Sequence, residues 1–132
     1  MSYTEIKKKV MLVDDDAFLL DMYALKFKNA EYEVVTVNNP EEGVEKLKGG
    51  EDPDIVLFDL VMSGIGGWGF IKAVRENNLS EKSIFIVLSN QGQQIDFDTA
   101  KSYNVDGYVI KALATPSEVL TQVEKIYKEK KS

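Results

Sequence analysis

The sequence contains no cysteine and no histidine, only three prolines, and no apolar run near the roughly 20 residues of a membrane span. Without cysteine there are no disulfides, thiolate metal sites, CxxC redox pairs or cysteine nucleophiles. Without histidine there is no Ser-His catalysis, no imidazole-ligated metal and no phosphohistidine carrier. Any chemistry must come from carboxylates, hydroxyls, amines, backbone groups or a hard metal ion. Positive charge is also short: 22 acidic residues face 16 basic ones, for a net charge of −6. Such a chain gains no counterion-release attraction to a phosphate backbone, so direct nucleic-acid binding is not expected. Lys7-Lys8-Lys9 and Lys128-Glu129-Lys130-Lys131 read as solvated ends. The start of the chain lacks a signal peptide's apolar stretch, which makes cytoplasm the default and a membrane association unexpected.

What is present is a globular balance, 44% apolar and 29% charged, in 132 residues that suit one domain. Short apolar runs alternate with helical patterns five times. Val10–Val13 ends abruptly in Asp14-Asp15-Asp16, and Leu20, Tyr23, Ala24 and Phe27 then recur at helical spacing over 17–29. Glu33–Val37 is a second strand. Asn39-Pro40-Glu41-Glu42 supplies an N-cap, a first-turn proline and first-turn acids for a helix that stops at Gly49-Gly50. Ile55–Phe58 runs into Asp59, and a glycine-rich loop at 63–67 leads to a third helix carrying Phe70, Ile71 and Val74. Ile84–Leu88 ends at Ser89-Asn90, and 94–103 carries the weakest helical pattern. Gly107–Ile110 ends at Lys111, and Thr115-Pro116-Ser117-Glu118 is a capping box for a helix turning Val119, Leu120, Val123, Ile126 and Tyr127 inward. Continuous apolar strands alternating with helices imply a parallel sheet covered on both faces, a flavodoxin-like three-layer α/β/α sandwich. Residues 1–132 are read as one domain with a core over 8–130.

Open parallel sheets bind ligands beyond the carboxyl ends of their strands. There this sequence places Asp14 and Asp15 after strand one, Asp59 after strand three, Ser89 after strand four and Lys111 after strand five. Converging carboxylates must be protonated, paired or bound to a cation. An all-oxygen donor set in an open site favours Mg²⁺. Lys111 and a metal would offset anionic oxygens, and Ser89 would add a hydroxyl. This combination suits phosphoryl transfer, with Asp59 able to act as the nucleophile. Each feature alone has a plain structural reading: the acidic triplet a solvated turn, Ser89 a helix cap, Lys111 a surface cation. Their coincidence on one sheet edge is what argues for a site.

Four motifs, Met11-Leu12-Val13-Asp14-Asp15-Asp16, Asp54-Ile55-Val56-Leu57-Phe58-Asp59, Val87-Leu88-Ser89 and Gly107-Tyr108-Val109-Ile110-Lys111, resemble the response-regulator receiver domain of the CheY-like type. The resemblance implies a five-stranded sheet in order 2-1-3-4-5 and a stand-alone phosphorelay switch. Asp59 would be the phosphoacceptor. Asp14, Asp15, Asp59 and the backbone carbonyl of Val61 would hold Mg²⁺. Lys111 would pair with phosphoryl oxygens, while Ser89 moves to the phosphoryl group and lets Tyr108 swing inward. Asp16 would support the helix start. A sensor histidine kinase or phosphotransfer protein would be the donor, and a downstream protein effector would bind the face of helix 4, strand 5 and helix 5. The chain would be a monomer or a phosphorylation-dependent homodimer. It would act on itself only, through self-phosphorylation and self-dephosphorylation, rather than as an enzyme on a separate substrate.

The sequence also departs from the family pattern. Met62-Ser63-Gly64 stands where receivers usually have Met-Pro-Gly, so losing the proline should loosen that loop. Lys111-Ala112 replaces a Lys-Pro pair whose peptide is commonly cis; a non-proline cis bond costs roughly 2.5–4 kcal/mol, which leaves its geometry open. Asn90 is larger than the usual residue after the serine and, with Val61 and Gln91 flanking, would tune phosphoryl lifetime. Gly64-Ile65-Gly66-Gly67-Trp68-Gly69 fits GxGxxG, yet it follows the third strand and lacks the ribose-binding acid a dinucleotide site needs. Two further readings compete. A haloacid-dehalogenase-type phosphatase needs a second Asp where Val61 stands, and a phosphate-independent scaffold would have no use for Asp14, Asp15, Asp59, Ser89 and Lys111 together.

Overall fold

The computed structural model describes residues 7–90, 97–111 and 114–131, with Phe97 by its backbone alone. The elements are β1 (Lys9–Val13), α1 (Ala17–Asn29), β2 (Glu33–Val37), α2 (Pro40–Lys48), β3 (Ile55–Asp59), α3 (Gly66–Glu76), β4 (Ile84–Ser89), α4 (Phe97–Ser102), β5 (Gly107–Ile110) and α5 (Pro116–Lys131). The strands form one parallel sheet in order β2-β1-β3-β4-β5. Every strand expected from sequence is present in its expected place. Of the helix expected over 94–103, residues 97–102 are helical, while 94–96 lie outside the described residues.

The unbroken apolar runs are explained by two cores, one on each face of the sheet. Val10, Leu12, Ile55, Leu57, Ile84, Ile86 and Leu88 face α1 and α5, meeting Leu20, Phe27, Val119 and Val123. Met11, Val13, Val56, Phe58, Phe85 and Val87 face the other way, onto Val44, Leu47, Phe70, Ile71 and Val74 of α2 and α3. Alternation along each strand therefore sorts one apolar run into two cores. Each buried Leu, Ile or Phe contributes about 1.5–3 kcal/mol relative to exposure.

The helix starts follow the local chemistry. Asp16 caps α1 by accepting from Leu19 N–H at 3.1 Å, and Asn39 caps α2 by accepting from Glu42 N–H at 2.7 Å. Thr115 and Glu118 bond reciprocally, each at 3.2 Å, as the capping box requires. Helix α3 has no side-chain cap; its start is set by close backbone approach. Gly67 N–H donates to Leu60 C=O at 3.0 Å, and a Cβ at Gly67 would lie only 2.6 Å from Leu60 Cα. Only glycine lets the first turn of α3 press onto the chain leaving β3.

One cation behaves differently from the sequence reading, and a second was not read from sequence at all. Lys7 and Lys8 are exposed, but Lys9 opens β1 and is partly buried, pairing with Glu51 at 2.7 Å and Glu33 at 3.3 Å. Arg75 leaves α3 to stack on Phe85, 4.6 Å from the ring centroid, and donates to the carbonyls of Tyr103 and Asn104 at 2.8 and 3.0 Å. It thereby ties α3 to the turn between α4 and β5. Burial lowers the Arg75 pKa, a cost partly offset by the nearby charges of Asp106 and Glu81.

Candidate functional site at the carboxyl edge of the sheet

Three parallel strands deliver the site. Strand β1 pairs with β3, so Asp14 and Asp59 emerge side by side, and β5, on the far side of β4, delivers Lys111. Lys111 Nζ donates to Asp59 Oδ2 at 3.0 Å and to Asp14 Oδ2 at 3.4 Å. All three side chains are at most 6% exposed, so water screens this contact little. One lysine offsets two buried carboxylates, which leaves the group net negative.

The electrostatics follow. Burial pushes the Asp14 carboxyl above its ordinary value, against the Asp16 N–H bonded to it at 2.9 Å and the nearby Lys111, which both pull it down. Burial draws Lys111 down, but Asp59 and Asp14 together outweigh it and hold the ammonium above its ordinary value. Asp15 is exposed, yet its carboxylate joins those of Asp14 and Asp59 with ligand oxygens all within 4.8 Å of one another. Three carboxylates this close, with oxygen donors only, fit a hard divalent cation such as Mg²⁺.

The other expected residues take distinct places. Val61 is exposed, and its N–H donates to Asp59 Oδ1 at 3.3 Å, folding the loop back over that carboxylate. Ser89 ends β4 fully buried, and its Oγ finds no hydrogen-bond partner among the described residues. Tyr108 is half-buried on β5, opposite Val87, with its ring packed against the α2–α3 core. Asn90 is exposed at the rim. Gln91 and the Lys111–Ala112 peptide extend outside the described residues.

One contact escaped the sequence reading. Ser63, in the loop expected to loosen, donates both its N–H and its hydroxyl to Asp15 Oδ2, at 3.0 and 3.1 Å. The signal was the residue type itself: a serine offers two donors where a proline offers none.

A five-stranded parallel sheet in this order, with an aspartate after strand one, another closing strand three and a lysine after strand five, is the arrangement that the sequence resemblance to receiver domains implies. Comparison agrees: the chain belongs to the response regulator receiver domain family, whose model matches residues 10–124. It is 34% identical to the chemotaxis protein CheY of Thermotoga maritima over 92% of this chain and 98% of that protein. It is 30% identical to a probable transcriptional regulator, ycf27, of Guillardia theta, over 92% of this chain but 46% of that protein. The chain thus spans about half the length of the transcriptional regulators it matches. The chemotaxis protein CheY4 of Vibrio cholerae shares the fold, with a TM-score of 0.82 at 23% identity, covering 92% of this chain and 99% of that one. No described helix is long and apolar enough to cross a membrane.

Proposed function

We propose that this receiver domain is a phospho-accepting switch in which Asp59 takes a phosphoryl group. The observation that carries this reading is the shared Lys111 Nζ, bonded at once to Asp59 and Asp14 within reach of Asp15. That arrangement holds a nucleophilic carboxylate beside a fixed positive charge and a cation-binding set. A carboxylate oxygen of Asp59 forms a bond to phosphorus as the bond from phosphorus to the donor breaks, its electron pair leaving with the donor. The donor is the imidazole of a phosphohistidine on a sensor kinase or phosphotransfer protein, or a small acyl phosphate. Water later attacks phosphorus, the bond from phosphorus to the Asp59 oxygen breaks, and inorganic phosphate leaves with Asp59 again a carboxylate, so the chain acts on itself without turning over a separate substrate.

Asp14, Asp15, Asp59 and the Val61 carbonyl would hold Mg²⁺, which when bound supplies charge neutralisation for the transferred phosphoryl oxygens. Lys111 gives up its contacts to the carboxylates in favour of those oxygens. Ser89, whose Oγ has no hydrogen-bond partner among the described residues, donates to one of them. Its movement opens space on β4 toward which the half-buried Tyr108 ring turns, and the α4–β5–α5 face changes shape. This is a two-state element biased by one new charge cluster. Output then comes through a protein effector docking on that face, or through phosphorylation-dependent pairing of two copies, in the cytoplasm.

Intact mass after incubation with acetyl phosphate tests the reading. The expected result is an Mg²⁺-dependent gain of one phosphoryl group in the wild type and none in Asp59→Asn. A gain retained in Asp59→Asn removes Asp59 as the acceptor. No gain in the wild type, with acetyl phosphate or with a phosphorylated kinase domain, leaves the scaffold reading standing.

A further inference from the structure

The geometry points to Ser63 as a positioning residue for the Asp15 carboxylate, holding it in place for the divalent cation. This inference rests on the Mg²⁺ reading of the site and deepens it.

The three carboxylates are held together by different means. Asp14 and Asp59 are buried and share Lys111, whereas Asp15 is exposed and makes no ion pair among the described residues. An exposed carboxylate beside two others is driven outward by repulsion and by the rotamer freedom water allows. Yet its ligand oxygen stays within 4.8 Å of theirs. The restraint is Ser63, whose N–H and Oγ both end on Asp15 Oδ2, at 3.0 and 3.1 Å. Among the described residues no hydrogen bond ends on Oδ1. Donors that fix one oxygen of a ligand and leave the other free are what orient carboxylates at metal centres.

Ser63 can do this because the loop on either side is itself fixed. Met62 is buried against the α2–α3 core, and Val61 N–H is bonded to Asp59 Oδ1. Gly64 follows in the left-handed region, φ +73°, turning the chain away immediately after the serine. The loop thus links two of the carboxylates, touching Asp59 through residue 61 and Asp15 through residue 63. Ser63 does for the exposed carboxylate what Lys111 does for the buried pair, but with neutral donors that do not compete with a cation for charge.

Calorimetric titration with MgCl₂ alone tests this on the full chain. Ser63→Ala keeps the N–H and loses the hydroxyl, and should weaken Mg²⁺ binding about tenfold. Ser63→Thr should restore most of the affinity, and Ser63→Pro, lacking both donors, should lose more than alanine. In an Asp15→Ala background, Ser63→Ala should cause no further loss, because the serine acts through that carboxylate. Melting in EDTA should be unchanged by Ser63→Ala, which separates positioning from general loop support. Mg²⁺ binding by Ser63→Ala as tight as the wild type, or tighter, overturns the inference while the Mg²⁺ reading stands. A wild type that binds no Mg²⁺ overturns both.

Discussion

Lys111→Met is the sharpest perturbation of this molecule in the absence of metal. Methionine keeps the length and apolar stem of the side chain but removes the charge that Asp14 and Asp59 share at 3.4 and 3.0 Å. Deleting one partner of a buried ion pair costs about 3–5 kcal/mol, because the charges left behind are neither solvated nor paired. We expect about 3 kcal/mol, the low end, since burial already raises the Asp14 pKa and loss of the Lys111 charge that lowers it makes protonation easier in the variant. With a urea m-value of about 2 kcal/mol/M, the unfolding midpoint in EDTA should fall by about 1.5 M near neutral pH. Trp68 fluorescence can follow the transition.

The pH dependence gives a second check. In the variant, the folded state binds a proton that the unfolded Asp14 gives up above its ordinary value of 3.8, so stability falls as pH rises from there. The deficit should therefore shrink on acidification. In the wild type, the Lys111 contribution is fully present below 10.5 and is lost as pH rises through the raised folded-state value. Equal midpoints for wild type and variant in EDTA at neutral pH would refute this account. So would a deficit that grows toward acid.

Other expectations follow from single contacts. Gly67→Ala forces a Cβ against Leu60 at the exit of β3 and should cost about 1–3 kcal/mol by urea unfolding; an unchanged midpoint would mean α3 can retreat freely. Ser89→Ala deletes a buried hydroxyl that has no partner among the described residues, so the unphosphorylated protein should be as stable or more stable by about 1 kcal/mol, while its phosphorylated form loses the Ser89 contact and its response. A clear loss of stability in unphosphorylated Ser89→Ala would show that the hydroxyl is already satisfied. Tyr108→Ala should accept phosphate normally yet fail to change effector affinity on phosphorylation; an unaltered response would remove Tyr108 from the relay.

The sequence made the strands and the edge they share readable because both signals are local. A run such as Ile55–Phe58 is apolar throughout only when both faces are covered, and Asp59 directly after it marks the carboxyl end. The caps at Asp16, Asn39 and Thr115 were legible for the same reason, since each bond spans three residues. What escaped was non-local. Arg75 bonds carbonyls 28 and 29 residues away, and Ser63 bonds Asp15 across 48. No spacing rule encodes such a pair. Lys9, taken with Lys7 and Lys8 as a solvated run, is partly buried because strand β1 begins there and Glu51 lies 42 residues on.

Lys111 and Asp14 meet across 97 positions of chain, the longest separation among the hydrogen bonds of the site. The cation arrives on the last strand, whereas both carboxylates are already in place once β1 and β3 have paired. A chain holding only the first four strands would set Asp14 beside Asp59 without the cation that pairs them. We expect the pairing of these charges to favour docking of β5 together with closure of the earlier sheet. The charge arrangement proposed for phosphoryl chemistry would then make folding more nearly all-or-none. A fragment ending before residue 107 should be loosely packed at its carboxyl edge, and tighter in Mg²⁺ than in EDTA.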